Sequence, residues 1–230
     1  MIMRKQYYEA YDDRYRQVHD AGLQWFADQP TGIVREIITR FGINKNHKLL
    51  EIGCGEGRDA FPLLRDGYNL LSTDISKEVI RYNLERWPEF SNSFAVLDCI
   101  SGEMADRFDF IYAVAVVHML VEDVHRNAFY SFIREHLTPD GIGLICTMGD
   151  GTIERQSDIR NAFQKQDRVH EQTGKQLKIA STSCRMVSFD TFHTELAQNG
   201  LTVLEEGITQ ALPDFSMLMY AVVKGEKHDL

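Results

Sequence analysis

The stretch KLLEIGCGEGRDA, residues 48–60, constrains this chain more than any other. An apolar run of strand character gives way to glycine at positions 53, 55 and 57, and then to a segment of helical character. Glycine has no Cβ, so it takes positive φ without strain and lets the main chain pass close to a ligand, and the following helix offers unpaired N–H groups. A strand handing over to a helix through such a loop is how α/β folds place ligands at the carboxyl edge of a sheet. A tight turn alone needs fewer glycines.

The rest of the chain repeats this alternation. Apolar runs at 69–73, 93–97, 108–116 and 141–148 read as strands, and residues 58–66, 77–87 and 123–137 between them have helical character. Another helix is predicted over 32–41, where Ile33, Val34, Ile37, Ile38 and Phe41 fall at helical spacing. Such alternation implies a parallel sheet covered on both faces and joined by right-handed crossovers. The last part differs: a helix over 188–198 stops at Asn199-Gly200, and LTVLEEGI and SMLMYAVV follow with no helix between them, which predicts a hairpin. The expected fold is a doubly wound, Rossmann-like α/β sheet of seven mostly parallel strands with an antiparallel C-terminal hairpin strand, one domain over 1–230. Residues 149–187 are polar and too long for an ordinary connection, so they are expected to form a partly helical insertion near the ligand.

Composition narrows the partner. Thirty-four acidic against 25 basic side chains give a net charge of -9, which disfavours a nucleic-acid surface and favours a small-molecule substrate. The opening MIMRKQYYEAYDDRYRQ lacks the apolar core of a secretory signal, and the longest apolar run, Phe110 to Val117, is too short to span a membrane. Cys54, Cys99, Cys146 and Cys184 are scattered without metal-ligand spacing, so no metal is expected and reduced thiols in a cytoplasm are the natural reading. Nothing in the sequence specifies an oligomeric state.

The strand ends carry the chemistry. A dinucleotide fingerprint needs a third glycine where this chain has Arg58, which disfavours a pyrophosphate. Asp74, ending the second strand, suits the two hydroxyls of a ribose; the competing role of helix N-cap is better filled by Ser76. Asp98 and Cys99 close the third strand, where an acid and a main-chain N–H suit the edge of adenine, the alternative being a solvated strand-end turn.

With these residues in order, the chain resembles the class I S-adenosylmethionine-dependent methyltransferases over nearly its whole length. LLEIGCGEGRDA is similar to their first motif, STDIS to their second-strand acid, AVLDCI to the adenine acid, FDFIYAVAVVHML to the fourth-strand segment and HLTPDGIGLI to the entry of the fifth strand, and the terminal hairpin matches their seventh strand. Within the class, GEGRDA and FDFIYAVAVVHML look most like small bacterial enzymes of the tellurite-resistance and thiol or halide methyltransferase type. The resemblance implies S-adenosylmethionine as cofactor and S-adenosylhomocysteine as product. It implies that Gly53, Gly55, the Cys54 backbone and Glu51 meet the methionine part, that Asp74 and Ile75 hold the ribose, that Asp98 and Cys99 edge the adenine, and that Ala113 and Val114 offer main-chain contacts near the amino group. Arg58 and Asp59 either join them or pair with the N-terminal segment. Two other classes stay open: a nicotinamide-dependent oxidoreductase, and a non-catalytic protein that binds the same cofactor.

Methyl transfer from a sulfonium asks for orientation and exclusion of water, with a base only where the acceptor must lose a proton. His118, after the fourth strand, is the candidate base, although a structural histidine fits there too. Tyr11, Arg14 and Tyr15 lie in an amphipathic segment that forms either a lid within residues 1–30 or an ordinary packed helix. Arg185 is placed to bind an anionic substrate or to stand in a solvated loop. AVAVVH replaces the [DN]-P-P-[YF] used by many nucleic-acid and protein amino-group methylases, which again favours a small acceptor.

Overall fold

The KLLEI run forms β1 (Lys48–Ile52), with Leu49, Leu50, Glu51 and Ile52 all buried. Burial of successive residues marks a strand covered on both faces. A computed structural model describes residues 5–226; the first four positions of the expected N-terminal lid and the last four of the chain lie outside the described residues.

In chain order α1 (Ala10–Asp20) and α2 (Gly32–Arg40) precede β1, and α3 (Ala60–Arg65), β2 (Asn69–Asp74), α4 (Lys77–Arg86), β3 (Phe94–Val96) and β4 (Phe108–Val114) follow it. Next come α5 (Asp123–His136), β5 (Leu137–Met148), the short strands β6 (Arg155–Gln156), β7 (Lys165–Val169), β8 (Gln176–Ala180) and β9 (Arg185–Met186), then α6 (Phe189–Gln198), β10 (Leu201–Ala211) and β11 (Phe215–Gly225). The main sheet has seven strands in the order β10-β11-β5-β4-β1-β2-β3. β1 pairs in parallel with β2 and β4, and β11 runs antiparallel between β5 and β10. The strand order reverses at β1, so the glycine loop leaves the sheet at the switch point, where ligands of open α/β sheets bind. One apolar core packs on each face: Ile52, Ile111 and Phe192 on one, Leu49, Tyr112 and Ile37 on the other. No helix among the described residues is long and apolar enough to cross a membrane.

Local chemistry sets the element ends. Ser76 caps α4 by accepting from the Val79 N–H, and Ser188 caps α6 by accepting from Thr191. β4 stops at Val114, two residues short of the expected end, because Ala115 turns to φ 58. β5 begins at Leu137 instead of 141, since Leu137 pairs with Phe108 across an irregularity in the ladder.

The insertion is a correction. It is built mainly from two small antiparallel ladders, β6 with β9 and β7 with β8, and its helical content is one turn at Ile159–Asn161. The reason lies in QLKIA: Leu177 and Ile179 alternate inward and bury against Val18 of α1. The insertion and the N-terminal segment thus share a small core apart from the two on the main sheet.

Candidate functional site

The glycine loop is tied at both sides. The Cys54 N–H donates to the Thr73 carbonyl and the Thr73 hydroxyl to the Glu51 carbonyl, which holds the loop against the end of β2. Gly53, Gly55 and Gly57 have φ of 72°, 50° and 77°. At Gly53 a Cβ would run into Val116 Cγ2, and at Gly57 into the indole of Trp87, so both the conformation and the space exclude a side chain there.

A cleft opens above this loop. It is lined by Glu51, Gly53, Cys54, Gly55, Asp74, Ile75, Asp98, Cys99 and Val114, which brings together nine of the ten residues that the family resemblance ties to the cofactor. Ala113 is the exception: it points into the core beneath β4, and the wall there is made by Val114, Ala115 and Val116. Tyr8, Tyr11, Tyr15 and Phe26 of the N-terminal segment and Phe215 at the start of β11 complete the lining. Sequence reading missed Tyr8, Phe26 and Phe215 because their approach depends on contacts far along the chain.

The two acids on this wall differ. Asp74 is buried; one carboxylate oxygen accepts from the Gly55 N–H (2.9 Å) and the other from the Ser76 N–H (2.8 Å). Desolvation outweighs these bonds and raises its pKa to about 6. Asp98 is half-buried and forms a strand-end turn, accepting from the Ile100 N–H (2.9 Å) and the Ser101 hydroxyl (2.6 Å), while still facing the cleft.

Glu51 lies deepest. It is 4 % exposed, and its Oε2 has no hydrogen-bond partner within the protein. Burial, with a lesser push from the charge of Asp59, raises its pKa to about 8. An unsatisfied buried carboxylate oxygen beside a cleft fits a cationic ligand group that would satisfy it.

Arg58 and Asp59 also border the cleft, but their polar groups are committed to the N-terminal segment and the β10–β11 turn. Asp59 accepts from the N–H (2.5 Å) and hydroxyl (2.8 Å) of Thr31, and Arg58 pairs with Asp214 (3.2 Å) across the ring of Phe26. They fasten the segment leading into α2 and the β10–β11 turn to the glycine loop.

The N-terminal segment is also clamped. His19 Nε2 lies 2.9 Å from Glu56 Oε1 in the glycine loop, and its Nδ1 lies 2.7 Å from Glu78 Oε1 on α4. Glu56 accepts as well from the N–H groups of Trp25 (2.7 Å) and Phe26 (2.8 Å). Asp12 accepts from the Ser76 hydroxyl and the Glu78 N–H at the start of α4, a favourable place for a carboxylate.

A second cavity adjoins the first, sharing Tyr11, Phe26, Met119 and Phe215. The insertion forms much of its wall. Arg14 and His118 line it, whereas Tyr15 lines only the first cavity. His118 sits on the turn Val117–Met119, is 3 % exposed, and leaves Nδ1 without a partner. Burial first, then the charges of Arg126 and Arg14, lower its pKa to about 3, so the ring is neutral at ordinary pH. Buried Arg126 holds that turn: its Nη1 donates to the carbonyls of Val117 (2.8 Å) and Leu120 (3.2 Å), while Nε and Nη2 grip Glu195 at 2.7 and 2.5 Å.

Arg185 lies on neither cavity. Its Nη1 donates to the Val121 carbonyl (2.9 Å) and to Asp123 (2.5 Å), and Nη2 approaches Glu195 at 3.6 Å, so its charge is already neutralised.

Comparison with known proteins agrees with this architecture. Residues 50–142, from β1 into β5, match the family described as a methyltransferase domain. A 52-residue stretch is 36% identical to the glycine N-methyltransferase of Mus musculus, covering 20% of this chain and 18% of that protein. Over 118 residues the chain is 28% identical to a probable S-adenosyl-L-methionine-dependent methyltransferase, TehB, of Haemophilus influenzae, covering 50% of this chain and 41% of the relative. The match thus spans less than half of each curated relative. Among solved structures, the CcbJ methyltransferase of Streptomyces caelestis superposes with a TM-score of 0.68 at 16% identity, over 95% of this chain and 98% of the other. The glycopeptide N-methyltransferase MtfA complexed with S-adenosylmethionine gives 0.62 at 18% identity, over 88% and 97%. The seven-stranded sheet with its antiparallel β11 is the fold shared with these solved structures, and over residues 50–142 the chain is similar to a methyltransferase domain.

Proposed function

We propose that the protein transfers a methyl group from S-adenosylmethionine to a small-molecule acceptor. One observation carries the reading: a single cleft brings Glu51, the glycine loop, Asp74 and Asp98 to the carboxyl ends of three adjacent strands. The unpartnered Oε2 of Glu51 fits the ammonium of a bound amino acid, and a glycine path that tolerates no Cβ at Gly53 fits a ligand lying on the main chain. Asp74 keeps acceptor capacity on both oxygens for a ribose diol, and Ile75, Leu97, Cys99 and Ile100 offer an apolar slot for adenine with Asp98 at its edge.

S-adenosylmethionine supplies a methyl carbon activated on a sulfonium, and S-adenosylhomocysteine is what remains. The chain supplies orientation and dryness. Holding the reactants in line is worth on the order of 7–11 kcal/mol in favourable cases. In this reading residues 1–30 act as a lid, with Tyr11, Tyr15 and Phe26 closing the cleft against water, and residues 149–187 form the acceptor-side wall. His118, held neutral, offers ring Nδ1 to an acceptor O–H or N–H; a pKa of about 3 suits it to orienting that group rather than to carrying away its proton. The four free cysteines support a reducing, cytoplasmic setting.

Calorimetric titration with S-adenosylhomocysteine tests the cofactor assignment. Saturable binding is expected, with no competition from NADH, and Asp74→Ala should weaken it by about 1–3 kcal/mol through loss of buried hydrogen bonds. Binding of NADH in its place, or an unchanged affinity in the variant, would overturn the reading.

A further inference from the structure

The second cavity holds charge that methyl transfer alone does not require. Arg14 is 8 % exposed, yet among the described residues no carboxylate lies within ion-pair distance of it. Its Nε and Nη2 donate to the carbonyl of Ala180 at 3.1 and 2.9 Å, and Nη2 also to that of Ser181 at 2.6 Å. The guanidinium lies over the rings of Tyr11 (5.3 Å) and Trp25 (5.0 Å). Arg126 is the contrast in the same molecule: fully buried, it grips a carboxylate with both arms of its fork. A buried cation normally has a counter-charge, and Arg14 has only carbonyl dipoles.

The neighbours deepen the imbalance. Arg168 and Arg155 line the same cavity, and neither has an ion-pair partner among the described residues. Three acids also line it. Asp158 is taken by Arg160, and Asp214 by Arg58 and the Ala27 N–H, which leaves Glu171 as the uncommitted one. Toward the first cavity the wall turns aromatic, with Phe26 and Phe215, and there the unpartnered Nδ1 of His118 is buried.

We propose that this cavity is the acceptor site, and that the acceptor is a planar, largely apolar molecule bearing a carboxylate. Arg14 and Arg168 hold the carboxylate, and the methyl-accepting atom lies at the His118 end, where the two cavities meet. Guanidinium is suited to this task because its fork matches a carboxylate and its face stacks on aromatic rings. The inference rests on the methyltransferase reading and gives its acceptor a chemical class.

The test uses the full chain saturated with S-adenosylhomocysteine. Indole-3-acetate and 4-hydroxyphenylacetate are titrated against their uncharged amides, with binding read by equilibrium dialysis and by Trp25 fluorescence. The acids are expected to bind about tenfold or more tighter than the amides, as one charge-assisted pair would give. Arg168→Gln, on an exposed side chain, should erase most of that preference and leave S-adenosylhomocysteine affinity unchanged; Arg14→Gln should do the same where it folds. Equal binding of acid and amide, no saturation by either acid at millimolar concentration, or a preference that survives Arg168→Gln and any folded Arg14→Gln would overturn the proposal. Because S-adenosylhomocysteine binding is measured on the same protein, failure of the cofactor reading shows separately from failure of the acceptor class.

Discussion

His19 makes the attachment of the N-terminal segment depend on pH. Both ring nitrogens face carboxylate oxygens, at 2.7 and 2.9 Å, and a neutral imidazole has one N–H, so only the protonated ring can donate to both. Burial opposes the charge, but the hydrogen bonds to Glu56 and Glu78 outweigh it and raise the His19 pKa above 6.5. A raised folded pKa contributes stability that is complete below the unfolded value of 6.5 and is lost as pH rises through the folded one. The size follows from the contacts. His19→Ala removes two charge-assisted hydrogen bonds and a stack on Tyr82 at 4.4 Å, while Glu56 keeps the N–H groups of Trp25 and Phe26 and Glu78 keeps Arg81. The carboxylates are therefore not stranded, and the loss should be about 2–4 kcal/mol at pH 6, below the sum of two full charged bonds and near the lower end for broken buried pairs. Urea unfolding of wild type and variant at pH 6 and at pH 9 measures it, since other titrating groups cancel in the difference. The gap should narrow at pH 9, and amide exchange over residues 10–26 should accelerate in wild type as it does in the variant. An equal gap at both pH values would refute the protonated clamp.

Other consequences are as direct. With a pKa of about 8, Glu51 is mostly protonated at pH 7, so binding of an ammonium group beside it should release a proton; calorimetry in two buffers of different ionisation enthalpy should detect the release, and Glu51→Gln should abolish it. If Asp74 holds a ribose diol as proposed, protonation replaces one of its acceptor sites with a donor, so S-adenosylhomocysteine affinity should fall below about pH 6, and Asp74→Asn should flatten that dependence. Arg126→Met leaves Glu195 without its main partner and frees the turn bearing His118; a loss of about 3–5 kcal/mol is expected in thermal or denaturant unfolding. Gly57→Ala should weaken folding by more than about 1 kcal/mol, because positive φ and Trp87 both oppose the methyl group.

What the sequence made legible was local. The Ile33, Val34, Ile37, Ile38 stripe lies on one buried face of α2, Asn199-Gly200 ends α6, and Ser76 caps α4 as its hydroxyl chemistry predicts. The glycine loop could be placed because a strand, three glycines and a helix start follow one another without a gap. What escaped was decided across long separations. Arg185 looked like an anion ligand, but Asp123 and Glu195 take its charge, and nothing near TSCRM points to residues on α5 and α6. Arg14 was placed on the N-terminal segment, yet its lack of a counter-charge appears only once β8 presents carbonyls to it. The Leu177 and Ile179 alternation was a strand signal that the polar surroundings of the insertion concealed.

The position of β11 bears on the order in which this molecule can become complete. β1 to β4 and the glycine loop precede residue 115, so the proposed donor half of the site can organise while synthesis continues. Phe215, which borders both cavities, and Asp214, which anchors Arg58, belong to the turn leading into a strand that must slot between β5 and β10. A nascent chain halted before residue 215 would hold a nearly finished donor half beside an open trough. The boundary between the two chambers is therefore among the last features to form, and a protease able to cut at the β10–β11 turn would undo it first.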